Sequence, residues 1–148
     1  MNIYLILFFV FLILGVLAFF KIRNSSSEIK FTWQWSFFMG AFVWEDIVIF
    51  SPLFSLVSLI TYVTGRDKFF VLFLFSFWLI RSLGESRYFM LQQLIRPDFH
   101  PHNIDKQFTI LKNFFKGLNQ QQCFILMQVF YQSIAVMSLI GLIYTIFY

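Results

Sequence analysis

The sequence predicts an all-α integral membrane protein: four transmembrane helices in a small bundle, with an amphipathic interfacial helix between the third and fourth. Three observations carry this expectation. Hydrophobic residues make up 59% of the 148 positions and charged residues only 12%, whereas soluble domains run near half apolar and a quarter charged. The apolar residues gather in four long runs, each close to the roughly 20 residues that a helix needs to cross a bilayer. A fifth segment carries apolar residues at helical spacing with lysines between them. The chain reads as a single polytopic membrane domain.

The first run, residues 3–20, is nearly pure Leu, Ile, Val and Phe. It has no positive leader and no small-x-small site before Lys21, so it is read as a retained helix and not as a cleaved secretory signal. The second run, residues 37–63, contains Glu45, Asp46 and Pro52, and the proline is expected to kink it. The third, residues 69–92, begins cleanly at Phe69 and turns polar from Arg81. The fourth, residues 123–147, is apolar with a few Gln and Ser residues. TYVTGRDKFF, residues 61–70, is a connection so short that the second and third runs form an antiparallel hairpin.

The amphipathic segment covers residues 104–117. Ile104, Phe108, Leu111, Phe114 and Phe115, followed by Leu118, recur at helical spacing, and Lys106, Lys112 and Lys116 form a membrane-surface face. Asn103 is the expected N-cap and Gly117 the expected stop. Lys and Arg set the orientation. The first connection holds Lys21, Arg23 and Lys30, the third holds Arg96, Lys106, Lys112 and Lys116, and the second holds only Arg66 and Lys68. Both termini are therefore expected outside, and the expected setting is a bacterial cytoplasmic membrane. Trp33 and Trp35 fall at the inner interface, and Tyr4, Tyr62, Tyr144 and Tyr148 at the outer one. The net charge of +4 is read as loops facing an anionic leaflet. With no dense basic run, nucleic acid is not an expected partner.

Two adjacent carboxylates inside an apolar run need an explanation. At 1.5 Å per residue, Glu45 lies about 12 Å beyond Phe37, and Arg81 about 18 Å beyond Phe69 on the antiparallel neighbour. In a core about 30 Å thick the two share a level. Glu85 follows Arg81 at i+4, Tyr88 and Gln92 continue that face, and Gln128 and Gln132 lie about 8 and 14 Å beyond Cys123. The expectation is one inner charge cluster of Glu45, Asp46, Arg81, Glu85, Arg87, Gln128 and Gln132. Glu45 or Asp46 pairs with Arg81, Glu85 is shared between Arg81 and Arg87, the glutamines supply hydrogen bonds, and the shallower Arg87 snorkels. Such a cluster serves either as glue between helices or as a proton, ion or ligand site.

Other features carry less. His100-Pro101-His102, with Asp98 and Asp105, is a weak metal candidate, because the proline holds the backbone extended and no second half of a motif appears. No metal and no cofactor are expected. The single Cys123 excludes an internal disulfide and a CxxC redox pair. Ser51, Ser55, Ser58 and Tyr62 recur at helical spacing and predict a packing seam. GxSxG, P-loop, dinucleotide-fingerprint and HExxH motifs are absent. No known family is recognised in these motifs.

The leading functional expectation is a non-enzymatic membrane subunit or scaffold whose charge cluster fixes helix packing. The alternative is a small transporter or ligand- or ion-binding protein using that cluster. A lipid-modifying membrane enzyme comes third. A bundle this small buries little surface, so the expected partners are the lipid bilayer and either further copies of the chain or a larger membrane complex.

Overall fold

The computed structural model describes residues 2–24, 44–95 and 108–148. Its elements are α1 (Ile3–Arg23), α2 (Trp44–Thr64), α3 (Asp67–Leu94), α4 (Thr109–Phe114) and α5 (Gln120–Phe147). No strand occurs among the described residues. Helices α1, α2, α3 and α5 are long and apolar enough to cross a membrane. Their 21, 21, 28 and 28 residues correspond to about 31, 31, 42 and 42 Å of axis.

The helix ends follow local chemistry. The Asn2 side chain accepts a hydrogen bond from the Tyr4 N–H and opens α1. At α5, Asn119 and Gln122 form a reciprocal capping box. The Gln122 N–H donates to Asn119 Oδ1 (2.8 Å), and the Asn119 N–H donates to Gln122 Oε1 (2.9 Å). These two bonds satisfy free N–H groups of the first turn, which is why α5 starts at Gln120 and not at the first apolar residue, Cys123. Gly65 takes φ +63° and returns its N–H to the Thr61 carbonyl at 2.9 Å, closing α2 with a left-handed cap. Gly117, at φ +93°, stands beyond α4. The expected N-cap Asn103 and residues 104–107 of the amphipathic segment lie outside the described residues, as do Trp33 and Trp35. Helix α2 runs through Pro52 without a break, and α3 runs unbroken through Arg81, Glu85 and Arg87.

Contacts gather the chain into two compact units, Met1–Leu74 and Phe75–Tyr148. In the first unit α1 and α2 lie antiparallel. The Ser55 hydroxyl donates to the Phe8 carbonyl at 3.0 Å, Phe11 packs on Phe54 at 5.2 Å, Gly15 faces Ser51, and Lys21 lies over Trp44. A Cβ at Gly15 would come within 3.1 Å of the Ser51 Cβ. The beginning of α3 joins this unit through Phe73, edge-on to Phe54 at 5.3 Å, and through Phe70, 5.5 Å from Tyr4. The Phe54–Phe73 pair spans the expected hairpin. The small-residue seam is present with one change: Ser51, Ser55, Ser58 and Thr61 are buried, while Tyr62 is exposed. Both positions 61 and 62 are one turn beyond Ser58, and the bulkier residue takes the outer one.

In the second unit α3 and α5 run antiparallel. Phe75 covers Gly141, Phe89 stacks on Tyr131 at 5.8 Å and 8°, and Phe89, Phe108 and Phe124 contact one another.

Burial departs from the soluble pattern. Ser, Thr, Ala and Gln share the contacts of the long helices with Ile47, Phe54, Val57, Phe89, Phe124 and Tyr131, while many Leu, Ile, Val and Phe side chains stay outside; α1 buries only Ala18. Lipid gives apolar side chains no reason to turn inward, and small residues let backbones approach.

Gly141→Leu places carbon inside the Phe75 ring and is expected to lower stability by about 1–3 kcal/mol. Gly84→Ala, which meets nothing within 4 Å, is expected to be neutral or slightly stabilising. Unfolding by denaturing detergent, followed by circular dichroism, measures both.

Candidate functional site

Helix register sets the level of each charged group. Gly15 and Ser51 face each other. Six residues further along α1 and six residues back along α2, about 9 Å in each case, bring Lys21 and Glu45 to one level. The Lys21 Nζ lies 3.9 Å from the centre of the Trp44 ring, which agrees. Lys21 is the first charge after the apolar run of α1. Glu45 and Asp46 therefore stand level with Lys21, in the first turn of α2, where acidic side chains also complement the free N–H groups of a helix. Trp44–Thr64 alone is long enough to cross a membrane, and residues 37–43, from which the expected depth of about 12 Å is counted, lie outside the described residues. Glu45 is exposed and Asp46 half-buried.

In the second unit, Arg81 finds a carboxylate on its own helix. Its Nη2 lies 2.8 Å from Glu85 Oε1, one turn on, and both side chains are partly exposed. Arg87 is exposed. No charged side chain is buried among the described residues, so a buried charge cluster is not what the structure contains. The i,i+4 spacing gives Arg81 a counter-charge on its own helix.

The expected glutamines divide. Gln128 accepts a hydrogen bond from the Gln93 Nε2 at 2.7 Å, joining α5 to α3, and Gln93 also donates to the Phe89 carbonyl at 3.2 Å. Gln132 is exposed on the outside of α5 and makes no hydrogen bond among the described residues. Positions i and i+4 differ by only 40° on a helix, yet Gln128 falls on the contact side of that boundary and Gln132 beyond it.

Two contributors were not singled out in the sequence. Gln93 is the residue that pairs, while its neighbour Gln92, which continues the face of Arg81 and Glu85, is buried. Tyr131 is 1% exposed, stacked on Phe89, with Glu85 and Arg81 within electrostatic range of its phenol. A tyrosine flanked by Gln128 and Gln132 in a mid-helix position was the available signal, and interface anchoring drew attention only to tyrosines near helix ends.

The unit thus holds an ion pair, an amide pair and a stacked phenol. Elsewhere hydroxyls are committed to the backbone: Ser58, Thr61, Ser133 and Thr145 each donate to the carbonyl one turn back. Ser51 Oγ and Ser82 Oγ are buried with no hydrogen-bond partner among the described residues. No group of three His, Cys, Asp or Glu side chains converges among the described residues. His100, His102 and Lys106 lie outside them. Phe108 is fully buried against Phe124 at 5.3 Å, Phe114 and Phe115 are exposed, Lys112 is half-buried and Lys116 exposed.

A scan against protein-family models finds no matching family, and searches of curated proteins and of solved structures find no match.

Glu85→Gln removes the carboxylate beside Arg81 and is expected to cost about 2 kcal/mol. Glu45→Gln, at an exposed position, is expected to stay within about 0.5 kcal/mol of the parent. The double exchange Arg81→Glu with Glu85→Arg should recover most of what either single exchange loses. Denaturing-detergent titration of the five variants, the two single exchanges included, measures this, and a larger loss at Glu45 than at Glu85 would contradict the assignment of levels.

Proposed function

We propose that the protein is a small multi-pass membrane protein that acts without catalysis, as a subunit or scaffold within a membrane assembly. The observation that carries this reading is the breadth of apolar surface on four membrane-length helices. Large Leu, Ile, Val and Phe side chains cover the outside, while small and hydroxyl side chains share the helix contacts with a few aromatic rings. That is an arrangement suited to a lipid solvent. Three of the four seam hydroxyls, on Ser55, Ser58 and Thr61, donate to backbone carbonyls, which supports a packing role for them over a chemical one. The Arg81–Glu85 pair supports the same role, because each charge meets its counter-charge one turn away on the same helix.

The α4 segment fits an interfacial foot. Phe108 anchors it to α3 and α5, Phe114 and Phe115 face outward into the acyl boundary, and Lys112 and Lys116 meet anionic headgroups. With Lys and Arg concentrated in the first and third connections, those connections face the cytoplasm and both termini face outward.

The test is alkaline carbonate extraction of membranes from expressing cells, combined with labelling of Ser26→Cys by an impermeant maleimide. Retention in the pellet, with labelling only after the cytoplasmic side is opened, is the expected result. Release into the supernatant would overturn the spanning reading, and labelling of intact cells would overturn the orientation.

A further inference from the structure

Gln132 poses a problem that the rest of α5 does not. It lies about 14 Å beyond Cys123, in the middle of a helix without a single charged residue. Its side chain is exposed on the outside of the chain and unbonded among the described residues. Its neighbour Ser133 is also exposed, but its hydroxyl donates to the Val129 carbonyl at 3.0 Å. A carboxamide carries two donors and an acceptor, and the hydrocarbon interior offers it nothing.

The residues around Gln132 form a pattern. Ile125, Val129, Val136, Leu139 and Ile143 share its face, and the steps from 125 to 143 are four, three, four, three and four. That is the heptad repeat of a left-handed helix pair, in which one polar residue fixes register. All five apolar members are exposed, at 44%, 52%, 57%, 45% and 48%. The inward face of α5 is a different one, carrying Phe124, Tyr131, Ala135 and Ser138.

We propose that this face of α5 packs against the same face of a second copy of the chain in the bilayer, with the two Gln132 amides hydrogen-bonded to each other across the two-fold axis. The occupant follows from complementarity. The face is neutral, so a charged partner has nothing to pair with here. A carboxamide is its own complement, donor to acceptor in both directions, which is what a two-fold interface requires. Copies inserted with the same topology have parallel α5 helices, so Gln132 meets Gln132. The inference rests on the reading of the chain as membrane-spanning.

The test uses the full chain in liposomes, with Cys123→Ala as background. Val136→Cys, on the seam, should cross-link under mild oxidation several-fold more than Met137→Cys, which lies 100° around the helix. By energy transfer between labelled copies, Gln132→Leu should weaken the apparent dimer constant about tenfold, about 1.4 kcal/mol, and Gln132→Asn should keep most of it. Gln132→Leu replaces a polar group on an outward face, so folding is not at stake. Equal cross-linking at 136 and 137, or a dimer indifferent to Gln132→Leu, would overturn the pairing alone. Carbonate release of the parent chain would overturn the spanning reading and the pairing with it.

Discussion

The approach of Gly15 to Ser51 sets the geometry of the first unit. A Cβ on Gly15 would lie 3.1 Å from that of Ser51, so the two backbones come as near as small residues allow. In water, such a contact would be a minor part of a hydrophobic core. In lipid, side chains have no solvent to escape, and association depends on close packing and on hydrogen bonds between helices. The approach fixes the register, and the register fixes everything polar along it. Ser55 reaches the Phe8 carbonyl, Lys21 covers Trp44 at the far end, and Glu45 comes level with Lys21.

The second unit reaches the same end by other means. Phe75 covers Gly141, so an aromatic ring fills the space that a second small residue would leave. Deeper along the pair, Phe89, Phe108, Phe124 and Tyr131 form a continuous set of ring contacts. The Gln93–Gln128 bond then ties α3 to α5 near the end where Asn119 caps α5. Aromatic pairs and an amide pair each contribute modestly, on the order of 1 kcal/mol. Their alignment on one helix face makes the contact specific.

Much of this was legible in the sequence. Long apolar runs announce membrane-length helices, the short connection over residues 61–70 announces the hairpin, and the serines at 51, 55 and 58 announce the seam. The neighbours of the carboxylates were not legible, because hydropathy does not give the register between two helices. Only the Gly15–Ser51 approach shows that Trp44 and Glu45 are level with Lys21. The glutamines were legible as important but not as to partner. Spacing put Gln128 and Gln132 on one face, whereas the boundary between contact and exposure runs between them. Among adjacent glutamines 92 and 93, pattern alone does not say which one bonds.

The most direct test of the account is the depth of position 45. A spin label at Glu45→Cys, in a Cys123→Ala chain reconstituted in lipid, reports its depth through relative collision with oxygen and a water-soluble nickel complex. Labels at Ile49 and Leu56 give the scale along α2. The account predicts nickel-accessible, headgroup-level values at 45 and oxygen-dominated values at 49 and 56. An oxygen-dominated label at 45, as deep as that at 49, would contradict the register and restore the carboxylates to the membrane interior.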